Sequence, residues 1–389
     1  MKVIYYSKPF FTDCDFPLIK ALQDKGIDVH YYIPLQRNFR RSVLFNFNKP
    51  LRKMKLIRAS EMEDMQIYKD AIDLGRLYFI AGYPFDKKWL PSWFFWAYAL
   101  WHMSRKKPDI FHFDWPFSVH YEILLTLWPF CCKKILTVHD PIPHSGKDDD
   151  KTEQKRKDAF KWADAFILLN KVQTKEFTTR YNIPISRVSY SRLGAYDTIA
   201  HVIPKPSGIG EPYILFFGFI SPYKGLEYLL EAMVKVHEQC PDLKLVIAGG
   251  GELYFEAEQY QNVDYIEWRH RYIDVPELAG LLKDCEFTVC PYKDATQSGV
   301  VQTAFSMNVP VIATNVGALP DAVTDGVTGI IVSPCDVLSL VDSIVRLHQD
   351  PEMLEDMRKN ILQNWLPNMS WDTIADTYID IYNKVLEKR

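Results

Sequence analysis

Ser298 and Gly299 follow a short apolar run, Phe287 to Pro291, and a polar loop, Tyr292 to Ser298. They stand where a helix should open before a second strand, Val309 to Thr314. A helix start presents unpaired N–H groups and about half a positive charge from the macrodipole, and a glycine there lets a ligand approach the backbone. Such a start suits an anion, above all a phosphate, with the amides of Gln297, Ser298, Gly299 and Val300 as donors. The same residues also fit an ordinary helix cap that holds no ligand. Lys224, in the loop GFISPYKGL that begins at Gly218, precedes another helix. A cation is unfavourable at the positive end of a helix, so this lysine is either solvated or accompanied by an anion.

The strand in KILTVHD, Lys134 to Asp140, ends on His139 and Asp140. A buried strand whose last residues turn polar delivers them to a cleft. Asp140 has three roles open to it: orienting the imidazole, taking a proton from an acceptor, or capping a turn. DIFHFDW, Asp109 to Trp115, ends likewise on Asp114 and Trp115, placed to face an acceptor, while His112 reads as a packed core histidine.

At 389 residues the chain suits two α/β domains rather than one core. A hydrophobic content of 48% excludes a disordered chain, and a formal net charge of -3 gives no global pull toward nucleic acid. The cysteines form no C-x-x-C pair and lack histidines at zinc spacing, so they read as reduced thiols, with no metal site expected. MKVIYYSKPFF reads as a first strand rather than a signal peptide, and no apolar run is long enough to span a membrane. A cytoplasmic protein is the expectation.

The elements that must position these residues alternate strand and helix. Lys2 to Tyr6, Pro17 to Lys25 and Ile27 to Ile33 read as a βαβ opening whose loop, Ser7 to Asp15, lies at a cleft rim. Arg37 to Arg58 carries Arg37, Arg40, Arg41, Lys49, Arg52, Lys53, Lys55 and Arg58 with no acid, interleaved with Phe39, Phe45 and Phe47. That mixture suits an anionic membrane surface or a solvated loop; single-stranded nucleic acid has no other support. Trp89 to Met103 is an apolar helix, buried or interfacial. Ile203 to Pro212, rich in proline and glycine, reads as an interdomain hinge. Gly249 to Glu252 is a poor dinucleotide fingerprint, because the third glycine position falls on Tyr254.

The order PY, ATQSG, VPVIAT, VGALPD and DGVTGIIV, from Pro291 to Val332, resembles the donor-binding part of the retaining GT-B glycosyltransferases of family 4. PDIFHFDW is similar to a strand of the same family, and Trp371 to Lys388 to its final helix. The resemblance implies an α/β GT-B fold, two Rossmann-like domains with parallel sheets facing a central cleft. Residues 1–205 would form the acceptor-side domain, 206–365 the nucleotide-sugar domain and 366–389 a helix returning to the first. It implies transfer of a sugar from a nucleotide-diphosphate sugar to a hydroxyl acceptor, with retention of configuration and without metal or other cofactor. Lys224, beside Gly218, would meet the diphosphate with the amides of Gln297 to Val300. Tyr272 and Ile273 would lie against the base, His139 would touch the transferred sugar, and Thr12 and Asp13 would occupy the first loop on the acceptor side.

Two glutamates common in that family, the first near the sugar and the second near the ribose, would fall on Ala295 and Thr303 here. In this place ATQSGV resembles a variant branch of that family. The family's loop arginine would fall near Phe219 and Ser221, which leaves Arg192 and Arg271 as candidates for a second cation. Two other readings stand beside transfer: a non-catalytic scaffold descended from a transferase, and a GT-B epimerase of sugar nucleotides. A glycan or lipid-linked acceptor, reached at the inner face of a membrane through residues 37–58, is the expected partner besides the donor.

Overall fold

The computed structural model describes residues 1–35, 54–81, 90–114, 128–129, 131–142, 150–295 and 298–387. Gln297, Trp115 and most of the basic segment 37–58 therefore lie outside the described residues. The chain divides into two units. The first comprises Met1–Pro141, Lys147–Leu193 and Trp371–Arg389, and the second is formed mainly by Gly194–Ser370.

The first unit contains β1 (Lys2–Tyr6), α1 (Thr12–Asp24), β2 (Asp28–Pro34), β3 (Lys55–Arg58), β4 (Leu77–Ala81), α2 (Leu90–Ser104) and β5 (Ile110–Phe113). It continues with β6 (Lys133–Val138), α3 (Asp150–Trp162), β7 (Ala165–Leu168), α4 (Thr174–Tyr181) and β8 (Val188–Tyr190). The sheet order is β3-β4-β2-β1-β5-β6-β7-β8, with only the edge strand β3 antiparallel. Strands such as β4, LYFIA, are buried along their whole length, which is why they read as continuous apolar runs rather than alternating ones. The order reverses between β1 and β5, and in open α/β sheets a crevice opens at such a point beyond the carboxyl ends of the strands.

The expected rim loop from Ser7 to Asp15 is not a loop. A short 3-10 turn, Pro9–Phe11, runs into α1, which starts at Thr12 and accommodates Pro17 inside it. Burial decides this: Cys14, Phe16, Leu18, Ile19 and Leu22 all enter the core, which outweighs the backbone bond lost at the proline.

The second unit contains β9 (Tyr213–Phe217), α5 (Leu226–Gln239), β10 (Lys244–Ala248), β11 (Ile266–Arg269), α6 (Val275–Asp284) and β12 (Thr288–Cys290). Then follow α7 (Gly299–Ser306), β13 (Val311–Thr314), α8 (Leu319–Ala322), β14 (Gly329–Val332), α9 (Val337–Gln349) and α10 (Pro351–Asn360). Its sheet, β11-β10-β9-β12-β13-β14, is parallel throughout and reverses order between β9 and β12. The last helix, α11 (Trp371–Glu387), belongs to the first unit and packs on α1.

The stretch expected to be a hinge is strapped to the second unit. Lys205 donates its N–H to the Pro276 carbonyl at 2.9 Å, and Arg269 reaches the Ser207 carbonyl at 2.6 Å. Proline and glycine serve close packing here: a Cβ on Gly280 would lie 1.7 Å from the Lys205 carbonyl oxygen.

Candidate functional site

The reversal point of the second sheet brings together the loop after β9 and the loop after β12. Lys224 sits in a single 3-10 turn, Pro222–Lys224, and is only 6% exposed. Its ammonium lies 5.6 Å from the centre of the Tyr292 ring, and no carboxylate partner is described for it. Burial lowers its pKa to about 8. Gly218, with φ at +100°, leaves the space the ammonium uses. A Cβ there would stand 2.9 Å from Lys224 Nζ and 3.6 Å from Val300 Cγ2, so the lysine tip and the first turn of α7 border the same spot.

α7 begins as the sequence suggests. Ser298 is its N-cap and accepts the Val301 N–H at 3.4 Å, a long bond, while the Gly299 and Val300 N–H groups have no acceptor among the described residues. Tyr196, which no motif singled out, lies against this turn, its Cε2 3.0 Å from where a Gly299 Cβ would be. Thr303 is nearly buried and donates its hydroxyl to the Gly299 carbonyl at 2.7 Å, so that proton is used within the helix. Ala295 is part of the hydrophobic core, and its carbonyl oxygen lies 1.5 Å from where a Cβ on Gly317 would stand. A glutamate at 295 would have to enter that core.

The surrounding loops are tightly joined. Gly249 packs its α-carbon on the Gly218 carbonyl, where a Cβ would come within 2.0 Å, and Ile220 donates to the Gly250 carbonyl at 2.8 Å. The glycine run after β10 thus serves loop-to-loop packing. Arg271, a candidate second cation, is committed to Glu277 at 2.7 and 2.8 Å, and Arg192 is exposed in the first unit. Tyr272 is 65% exposed on the loop after β11, whereas Ile273 packs against the core. Phe219, in the place of the loop arginine, is 68% exposed.

In the first unit the reversal point gathers a different set. His139, at the end of β6, stacks on Phe11 with ring centres 4.0 Å apart, and its Nε2 is 3.5 Å from Asp114 Oδ2. The other Asp114 oxygen is 3.4 Å from His112 Nε2. Asp114 does not face outward as expected: it is buried and accepts the Tyr5 hydroxyl at 3.0 Å. Burial alone would raise its pKa, but hydrogen bonds to His112 and His139 outweigh this and hold the carboxyl below the usual range. Asp15, buried beside it, is pushed well up by burial and by the Asp114 charge, and accepts the Tyr31 hydroxyl at 2.6 Å. The two carboxyls cannot both be ionised cheaply, so Asp15 keeps the proton and Asp114 the charge.

His112 is the packed core histidine it resembled, bonded to Tyr382 at 2.6 Å and Thr137 at 2.8 Å. Asp140 presents its carbonyl to Arg156, a buried residue of α3, at 2.7 Å, which fixes the turn behind His139. Thr12 is buried and donates to the Pro9 carbonyl at 2.9 Å, so it cannot meet an acceptor. Asp13 feels His139: burial pushes its carboxyl up to about 6, against bonds from Cys14 and the charge of His139. Tyr5, Phe11, Asp15, Arg156 and Tyr196 are residues that sequence reasoning passed over. Their spacing carries no motif; the first four lie in the first unit, and Tyr196 lies beside α7 in the second.

Comparison with known proteins follows the same division. Residues 17–190 match the family described as Glycosyltransferase Family 4, and residues 211–350 match Glycosyl transferases group 1. An uncharacterized glycosyltransferase of Methanocaldococcus jannaschii is 30% identical over 184 residues, 46% of this chain and 46% of that protein. Alpha-D-kanosaminyltransferase of Streptomyces kanamyceticus is 28% identical over 45% of this chain and 46% of its own length. The chain thus spans about half the length of these relatives. Sucrose-phosphate synthase from Thermosynechococcus elongatus shares the fold with a TM-score of 0.70, 18% identity and 100% coverage of both chains. Anabaena HepE in complex with UDP does so at 0.69, with 14% identity over 99% of this chain and 100% of that one. The α/β architecture with two parallel sheets is that of GT-B glycosyltransferase structures. Two glycosyltransferase family models thus match successive parts of the chain, residues 17–190 and 211–350, each over less than half of it.

Proposed function

We propose that this protein transfers a sugar from a nucleotide-diphosphate sugar to a hydroxyl acceptor, with the diphosphate held between Lys224 and the first turn of α7. The observation that carries the reading is the Lys224 ammonium, buried without a carboxylate partner among the described residues and sharing a spot with Val300. Burying a lone charge costs several kcal/mol, and a bound anion would offset that cost. As the bond from the anomeric carbon to the diphosphate oxygen breaks, charge grows on the leaving oxygen, and fixed N–H dipoles with an ammonium stabilise it there. HepE has been solved with UDP and with UDP-glucose, and starch synthase IV of Arabidopsis with ADP and acarbose, which supports a nucleotide-sugar donor by analogy.

The finer reading follows the family resemblance. Configuration is retained, no metal takes part, Tyr272 and Ile273 meet the base, and His139 hydrogen-bonds to sugar hydroxyls. The acceptor is a glycan or a lipid-linked glycan, met on the cytoplasmic side of a membrane. No helix among the described residues is long and apolar enough to cross one. A scaffold that had lost its donor is the rival suggested by Ala295 in the core. The buried lysine argues against it, since a fold without an anion to bind gains stability by losing such a charge.

The test is a thermal-shift screen of uridine, adenosine and guanosine diphosphate sugars, followed by mass spectrometry of products with simple glycan acceptors. A true donor at 100 times its dissociation constant adds about 2.7 kcal/mol of stability. No stabilisation by any diphosphate would sink the reading, and isomerised donor without transfer would point to the epimerase.

A further inference from the structure

The outward face of α2 has the wrong chemistry for water. Its exposed positions fall on one stripe, Pro91, Phe94, Tyr98, Trp101 and then Arg105, so the side facing away from the sheet is as apolar as the side facing it. Phe94 is 68% exposed, Tyr98 48% and Trp101 45%, while Trp96, Ala99, Leu100 and Met103 fill the core behind them. Tyr98 and Trp101 lie side by side, ring centres 5.9 Å apart. A contiguous exposed aromatic stripe, unlike scattered surface rings, marks a surface that is covered in use.

What surrounds the stripe selects the partner. Arg105, Lys106 and Lys107 follow the helix, and Lys55 and Arg58 lie on the edge strand β3. Arg58 and Lys106 both rest on the Tyr78 ring, each 5.6 Å from its centre, and Arg105 lies 5.0 Å from that of Trp101. No ion pair with a carboxylate is described for any of these five cations. In sequence the basic run extends through residues 37–53 without an acid. We propose that this face of the first unit, the aromatic stripe of α2 flanked by unpaired cations, seats the protein on a bilayer that contains anionic lipid. The rings enter the headgroup boundary, where amphipathic aromatics are favoured, and the cations meet the phosphates.

Two other occupants fit less well. A second copy using the same patch would bring its cations face to face across a two-fold axis. Single-stranded nucleic acid would want bases stacked among the cations, whereas Phe94 lies at the far end of the stripe from Arg105. The proposal stands on the first unit alone and does not depend on the transfer reading, because its readout is binding and not turnover.

The experiment is co-sedimentation of the full chain with vesicles of phosphatidylcholine alone and of equal parts phosphatidylcholine and phosphatidylglycerol. Binding to the mixed vesicles only, weakening as salt rises, is expected. Phe94→Ser with Trp101→Ser should reduce it at least tenfold, and Arg105→Glu with Lys107→Glu by about fivefold or more for each cation lost. Circular dichroism of each variant should match that of the parent, since all four side chains are at the surface. Equal binding by parent and variants, no binding to the anionic vesicles, or release of bound protein by an oligonucleotide would each overturn the proposal. So would concentration-dependent dimerisation that the serine pair abolishes.

Discussion

Lys224 and Lys293 sit on neighbouring loops of the second unit, joined where the Lys293 N–H reaches the Tyr223 carbonyl at 2.7 Å, yet they are treated in opposite ways. Lys293 is about a third exposed and bonded to Glu227 at 2.7 Å; Glu227 in turn accepts the Tyr254 hydroxyl, which also receives the Leu226 N–H at the start of α5. One helix start is therefore closed by protein groups. Lys224 is deeper, has the Tyr292 ring and the Cys290 thiol for neighbours, and shares its space with the start of α7, where Gly299 and Val300 keep N–H groups without an acceptor among the described residues. Charge alone does not set the two lysines apart. Burial without a partner does.

The largest effect that would sharpen this contrast comes from Lys224→Met. Removing the ammonium should lower nucleotide-sugar turnover by about a hundredfold or more, as loss of a buried oxyanion donor does, while raising the melting temperature of the unliganded protein. Parallel activity and melting measurements check both halves, and a variant that melts lower would break the comparison. Next is Gly218→Ala. Its methyl would come within 2.9 Å of Lys224 Nζ in a backbone conformation that L residues rarely adopt, so nucleoside diphosphate affinity by calorimetry should fall about tenfold, with a stability loss of about 1 kcal/mol.

pH probes the same group without mutation. The folded pKa of about 8 lies below the ordinary value of 10.5, so between these pH values the unfolded chain binds more protons at this position. The unliganded fold therefore gains stability as pH rises from 8 to 10.5 and loses that gain as pH falls back through 8. Diphosphate binding needs the proton and runs the other way. Its affinity should be level below pH 8 and drop by about tenfold per unit well above it, measured by calorimetry. The smallest change is expected from Lys293→Met, which breaks a partly exposed pair worth about 1 kcal/mol at most and should leave affinity within about twofold.

The parts of this molecule that read directly from sequence are those set by local pattern. Ser298 as a cap, the opening strand Lys2 to Tyr6 and the strand that ends at Thr314 all follow from residue type and short spacing. The start of α1 was hidden because Pro17 is a start signal, and only core contacts reveal that the helix begins at Thr12. Asp114 was misplaced for a related reason. Alternation says that it ends a strand, but its closeness to His139 depends on β5 and β6 lying side by side. The depth of Lys224 needed loop packing that no motif encodes.

That loop packing limits where this part of the second unit can be altered. With Gly249 seated on the Gly218 carbonyl and Gly251 on that of Ile220, the turns after β9 and β10 behave as one rigid ledge, and lengthening either would shear it from the other. Variation is tolerable where the ledge ends in open side chains. Phe219 is such a position, exposed above glycines that have no room for a side chain.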